Sequence, residues 1–214
     1  DLHSYFRNTT GNFTTIPQYF KDVHGYETQG MGKIFHPGVA SGATGGSFPC
    51  DVCRGEDDAD YSWSKPYFHG KDTLDNDYEN SWLAVPENIT RASPLQDTQV
   101  ADQAVSTIRA YAARQIHEGI KSKPFFLAVG FHKPHLPFVF PERFLEYYPE
   151  DLIRVPENNF APYDMPEIAW QNFGETRSYH DIAALNASGA PNTSLPDKVI
   201  KDLRRAYYAS VSYT

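Results

Sequence analysis

Two short stretches of this chain place lysine beside histidine in the way that anion chemistry needs. Lys33 and His36 fall in Gly32-Lys33-Ile34-Phe35-His36-Pro37-Gly38, and His132, Lys133 and His135 fall in His132-Lys133-Pro134-His135-Leu136-Pro137. Lysine supplies a compact positive charge, while histidine donates a hydrogen bond and passes a proton to a departing oxygen. A sulfate or phosphate ester suits that pair of talents. Pro134 and Pro137 limit the backbone freedom of His135, which is the preorganisation an anion-holding group requires. The plain alternative is a set of solvated loop side chains, since surface lysine and histidine are common. His132 and His135 do not read as a metal pair: Pro134 excludes a helix between them, and the spacing matches no strong zinc pattern, so no metal ligand is assigned. Asp57, Asp58 and Asp60 lack the glycine and the distant glutamate of a calcium loop and read as a solvated acidic face.

These residues need elements to hold them. Thr15, Pro17 and the run Gln18-Tyr19-Phe20-Lys21 predict a capped helix stopped at Gly25, followed by an extended segment over Tyr26–Met31. From about Val39 to Pro94 neither helical nor strand periodicity is sustained, which predicts a long irregular insertion. From Asp97 onward, Ala101, Ala104, Val105, Ile108, Ala112 and Ile116 recur at helical spacing up to Gly119. The run Phe125–Phe131 is apolar on both alternating faces, as in a strand buried within a sheet covered by helices. A last helix is expected from near Ser194, with Asp197 completing a partial capping box and with Val199, Ile200, Leu203, Tyr207 and Val211 inward. Helix followed by buried strand predicts an α/β fold, in which loops at the carboxyl ends of strands gather the ligand. Both lysine–histidine stretches lie directly after a predicted strand.

The 214 residues carry 19 basic and 27 acidic side chains, a formal net charge of -8. That balance argues against a nucleic-acid partner, which needs a broad basic face. Between Asp51 and Glu79 nine carboxylates stand against Arg54, Lys65 and Lys71, so much of the acidity is local. The 8 histidines would nearly cancel the net charge at about pH 5, which suits an acidic compartment. Five positions, Asn8, Asn12, Asn88, Asn186 and Asn192, carry the glycosylation acceptor pattern, favouring passage through the secretory pathway. The longest apolar run, seven residues from Phe125, is far short of the roughly 20 that cross a bilayer. Cys50 and Cys53 read as an incidental or locally bridged pair, because a zinc site needs a second pair and a redox motif needs a strand-to-helix setting. The chain opens without methionine and stops inside a predicted helix, which suggests a piece of a longer protein.

The segment Gly32–Gly38, together with Pro124-Phe125-Phe126-Leu127-Ala128-Val129-Gly130-Phe131-His132-Lys133-Pro134-His135-Leu136-Pro137-Phe138, resembles the type I sulfatases of the alkaline-phosphatase-like superfamily. Gly11–Lys21, Tyr61-Ser62-Trp63-Ser64 and Ala206–Tyr213 extend the likeness over most of the chain, which thins over Val39–Asp60 and Asn158–Ala183. The resemblance implies a partial sulfatase catalytic domain over residues 1–214, its sheet flanked by helices. It implies that Lys33 and His36 hold the nucleophile and its sulfated form, and that His135 contacts the sulfate and helps the leaving oxygen depart, with His132 and Lys133 as neighbours. The nucleophile of such enzymes is a formylglycine made from cysteine by a dedicated maturation enzyme, and it works beside calcium. The implied substrate is the 2-sulfate of terminal iduronate in dermatan sulfate and heparan sulfate, in the lysosome. No Cys-x-Pro-x-Arg motif occurs here, nor do the paired aspartates or the later Asp-His that would bind calcium. An interior fragment, inactive by itself, is therefore expected, with formylglycine and calcium ligands outside it. Another sulfatase or phosphodiesterase of the superfamily, or a non-catalytic secreted glycan-binding module, are the alternative readings.

Overall fold

The computed structural model describes residues 3–43, 56–74 and 79–214. In chain order the helices and strands are α1 (Phe6–Thr10), α2 (Ile16–His24), β1 (Glu27–Gly32), α3 (Ala59–Ser62), β2 (Trp82–Val85), α4 (Glu87–Ala92), α5 (Gln96–Glu118), β3 (Phe125–Gly130), β4 (Phe138–Pro141), α6 (Gly174–Ser178), α7 (His180–Ala183) and α8 (Asp197–Tyr213). The fold is α/β, with parallel strand pairs and flanking helices. The stretch expected to be irregular carries β2 and α4 toward its end. The chain divides into two units, Asp1–Lys71 with Gln96–His132, and Asp72–Leu95 with Lys133–Thr214.

In the first unit α2 begins as its sequence dictates. The Thr15 hydroxyl accepts from the Gln18 amide at 3.3 Å, proline occupies the first turn, and Gly25 closes the helix in the left-handed conformation at φ 67. The chain then runs into β1, which pairs in parallel with β3 from Glu27↔Phe125 to Gly32↔Gly130. Its opposite edge is also occupied. Ser64 and Lys65 donate to the Thr28 carbonyl at 3.0 and 3.2 Å, Phe68 donates to Gly30 at 3.2 Å, and Gly32 donates back to Phe68 at 2.9 Å. β1 is thus the middle of three extended segments, and its carboxyl end is held from both sides.

Helix α5 covers this sheet through Val100 and Ala104, which pack on Met31 beside Phe68, Leu127 and Val129. The buried face is offset from the predicted one by about one residue. Asp97, Val100, Ala104, Thr107 and Tyr111 are buried, whereas Val105, Ile108 and Ile116 are 46%, 50% and 83% exposed. One residue is about 100° around a helix. The inward polar residues explain the offset: Tyr111 stacks on Phe125 at 4.2 Å and reaches Gln29 with its hydroxyl, while Asp97 accepts from the His132 amide at 2.8 Å. Burial and the neighbouring Glu27 carboxylate push the Tyr111 phenol up to about 12.

The acidic cluster is a larger departure. Asp57 and Asp58 are not a solvated face: they are 2% and 1% exposed, and only Asp60 faces water. Arg7, itself buried, grips Asp58 with Nε at 2.5 Å and a second guanidinium nitrogen at 2.6 Å, and Tyr5 and Ser62 add their hydroxyls. Burial alone would raise the Asp58 carboxyl, but the Arg7, Ser62 and Tyr5 hydrogen bonds outweigh it and hold it below the usual carboxylate range. The Asp57 amide donates to the Ser41 hydroxyl at 3.0 Å, and its carboxylate Oδ2 lies 2.6 Å from His69 Nε2.

In the second unit β2 and β4 pair in parallel from Trp82↔Phe138 to Val85↔Pro141. α8 crosses them with Ala206 and Ala209 against Phe140, small residues that let the helix approach the strands closely. The expected α8 face is again displaced, with Tyr207 and Val211 43% and 45% exposed. Val199 and Leu203 instead line an open cleft of about 570 Å³ with Leu83, Leu145 and Ile182. Helix α8 starts at Asp197 after Pro196, without a side-chain cap, so Ser194 does not serve as one.

Candidate functional site

The carboxyl end of the first unit's sheet is made of two glycines in contact. A Cβ on Gly32, at φ 72, would meet the Gly130 carbonyl at 1.8 Å, and one on Gly130 would meet the Lys33 carbonyl at 2.0 Å. Only glycine at both positions lets the strand ends close this tightly. The Lys33 amide then donates to the Gly130 carbonyl at 2.8 Å, continuing the ladder one residue beyond β1. Lys33 is half-buried, and among the described residues its ammonium pairs with no carboxylate.

His36 lies three residues further along the loop and is exposed. Its Nδ1 lies 2.9 Å from the Pro37 carbonyl. A carbonyl only accepts, so Nδ1 carries the proton of this contact. His132 lies two residues beyond β3 in the same unit, with its amide on Asp97 and its Nδ1 3.4 Å from that buried carboxylate. That contact is an ion pair only when the imidazole is protonated. Asp97 thereby ties the strand end to the first turn of α5.

The second unit holds His135 by the same means as His36. Nδ1 of His135 lies 2.6 Å from the Leu136 carbonyl, and Nε2 is 3.6 Å from a Glu175 carboxylate oxygen, with both side chains about half exposed. The loop around it contains cis peptide bonds at Lys133–Pro134 and Leu136–Pro137. Lys133 turns its ammonium back onto this loop, donating to the carbonyls of His135 at 3.1 Å and Pro137 at 2.6 Å. Lys33, His36 and His132 thus share the end of one sheet, while Lys133 and His135 share one loop of the other unit.

Three participants escaped the sequence reading. Asp97 looks like a helix-start residue and is one, but it also fastens His132. His69, held by buried Asp57, and Tyr67, beside it, follow the Phe68 pairing with β1. Their only signal was the aromatic density of Tyr61–His69. The residues described do not fit a calcium ion: the buried carboxylates already face Arg7, His69 and His132, and no group of three ligand-type side chains occurs among the described residues. Cys50 and Cys53 lie outside the described residues. All five acceptor asparagines are exposed, as attachment of a sugar requires. No helix among the described residues is long and apolar enough to cross a membrane.

Comparison with known proteins bears on this geometry. The sulfatase family model matches residues 2–214. Iduronate 2-sulfatase of Homo sapiens is 37% identical over 220 residues, which cover 100% of this chain and 37% of that protein. The Mus musculus iduronate 2-sulfatase is 36% identical over the same extent. A sulfatase of Formosa agariphila is 30% identical over 169 residues, 74% of this chain and 28% of its own length. The chain therefore spans 37% of the length of the iduronate 2-sulfatases it matches.

Proposed function

This chain belongs to the sulfatase family, and we propose that it supplies the anion-holding part of a sulfuric ester hydrolase. In this reading Lys33, His36 and His135 are the sulfate-handling residues of the complete protein. The observation that carries it is Lys33: a half-buried lysine on a backbone fixed at a strand's carboxyl end, with no carboxylate partner among the described residues. There the positive charge meets a sulfate oxygen without reorganising. His36, anchored through Nδ1, presents Nε2 to the same group. His135, anchored identically, acts in its doubly protonated form, so that Nδ1 keeps its bond to the Leu136 carbonyl while Nε2 gives its proton to the leaving alcohol oxygen as the ester bond breaks. Lys133 holds the loop that carries His135, and His132 is a further candidate contact to the substrate. The formylglycine and calcium that the family resemblance implies belong to the rest of the protein, and no step is assigned to them here.

The substrate we propose is the 2-sulfate of terminal iduronate in dermatan sulfate and heparan sulfate, cleaved in the lysosome after passage through the secretory pathway. Identity of 37% over the whole chain to the human iduronate 2-sulfatase supports it, as do the exposed acceptor asparagines. The maturation enzyme that makes formylglycine is then a necessary partner. The test is release of inorganic sulfate from a 2-sulfated iduronate disaccharide by the complete protein near pH 5, with glucosamine 6-sulfate and a phosphate diester as controls. Selective hydrolysis of the first is expected; preference for either control overturns the substrate assignment.

A further inference from the structure

We infer that Tyr67 is a positioning residue for Lys33, resting on the reading above that Lys33 holds the sulfate. The Tyr67 hydroxyl donates to the Gly32 carbonyl at 2.9 Å and accepts from the Ile34 amide at 3.3 Å. These two groups are the immediate neighbours of Lys33 on either side, so one phenol oxygen brackets the residue. Its donor and its acceptor function are both used, and the bracket is directional. From the other edge the Lys33 amide is held by Gly130. The backbone at Lys33 is thus fixed from both edges, and the freedom left to it is that of its side chain.

The phenol ring is itself placed. Trp63 and His69 lie against it, with ring centroids 5.5 and 4.8 Å away. Both are tied to Asp57: Trp63 Nε1 donates to the Asp57 carbonyl at 2.8 Å, and His69 Nε2 lies 2.6 Å from its Oδ2. Gly30 makes room beneath, since a Cβ there would meet the Tyr67 ring at 2.3 Å. The inward turn of Asp57, which a solvated acidic face would not need, thereby gains a purpose. It anchors the two rings that aim the hydroxyl at the Lys33 backbone.

The test is Tyr67→Phe in the complete protein, which keeps the ring and removes the hydroxyl. Losing this bracket should lower kcat/KM for the 2-sulfated disaccharide about 3- to 10-fold. Inhibition by inorganic sulfate should weaken by a similar factor, with the thermal unfolding midpoint close to that of the wild type. In a Lys33→Ala background the same substitution should cost nothing further, because the residue being aimed is gone. A lower midpoint with unchanged sulfate inhibition, or full additivity with Lys33→Ala, overturns the inference. Should Tyr67→Phe fail to fold, His69→Gln removes a ring that supports the phenol, and wild-type sulfate inhibition in that variant would overturn it equally. Hydrolysis unaffected by Lys33→Ala defeats instead the reading on which the inference rests.

Discussion

In the first unit His36 gives its Nδ1 proton to the carbonyl of Pro37, and in the second His135 does the same with Leu136, so both imidazoles are turned by the residue that follows them. Their lysines are used differently. Lys33 sits on a backbone locked by strand hydrogen bonds, and its ammonium meets no carboxylate among the described residues. Lys133 bonds the carbonyls on both sides of Leu136 and so works on its own loop. A lysine can serve an anion by meeting it or by holding the loop that does. Where a sheet end already supplies rigidity, the ammonium is not spent on the backbone; where a proline-rich loop carries the histidine, the ammonium supplies the rigidity.

That contrast has consequences of graded size. The largest concerns the support of the first unit. Asp58→Ala leaves Arg7 buried without its partner and should destabilise the complete protein by about 3–5 kcal/mol, read as a fall in unfolding free energy in urea. Next, Lys133→Met should reduce kcat/KM about 10-fold, because two charge-assisted bonds to the His135 loop are lost. A change of Lys133→Met in sulfate affinity as large as that of Lys33→Ala would erase the distinction between the two lysines.

The pH dependence of Asp58 is a finer test. Its carboxyl is depressed in the folded protein, so the unfolded chain takes up a proton first as pH falls. The stabilisation it gives is complete above the ordinary value of about 3.9, and is lost as pH drops through the lower folded value. The stability gap between wild type and Asp58→Asn should therefore hold steady from pH 7 to pH 5 and close only below about pH 4. The smallest effect belongs to the second unit: Glu175 and His135 are both about half exposed, and Glu175→Gln should alter stability by less than about 1 kcal/mol.

What could be read without coordinates follows the range of the forces involved. Thr15 and Gly25 mark the ends of α2 because capping acts within one turn; the unbroken apolar run places β3, but the burial on both faces that it predicts is not met among the described residues, where β3 is only partly buried and Phe125 is 39% exposed. The existence of α5 and α8 was equally plain, but their inward faces were not. Tyr111, Thr107 and Asp97 are buried through partners in other elements, and Ala206 and Ala209 are buried because they are small. Nothing near Asp58 announces Arg7, which reaches it from 51 residues away. The placement of Lys33 and His132 just beyond strand ends was legible from the predicted strands. The bracket that Tyr67 places on Lys33 was not, since it depends on a pairing between Phe68 and β1 that no local pattern encodes.

The most direct test of the assignment is hydrolysis of the 2-sulfated iduronate disaccharide near pH 5 by the complete protein carrying Lys33→Ala. A loss of about 10²-fold or more in kcat/KM is expected, with an unfolding midpoint like that of the wild type. Wild-type turnover by a folded Lys33→Ala protein would contradict the account.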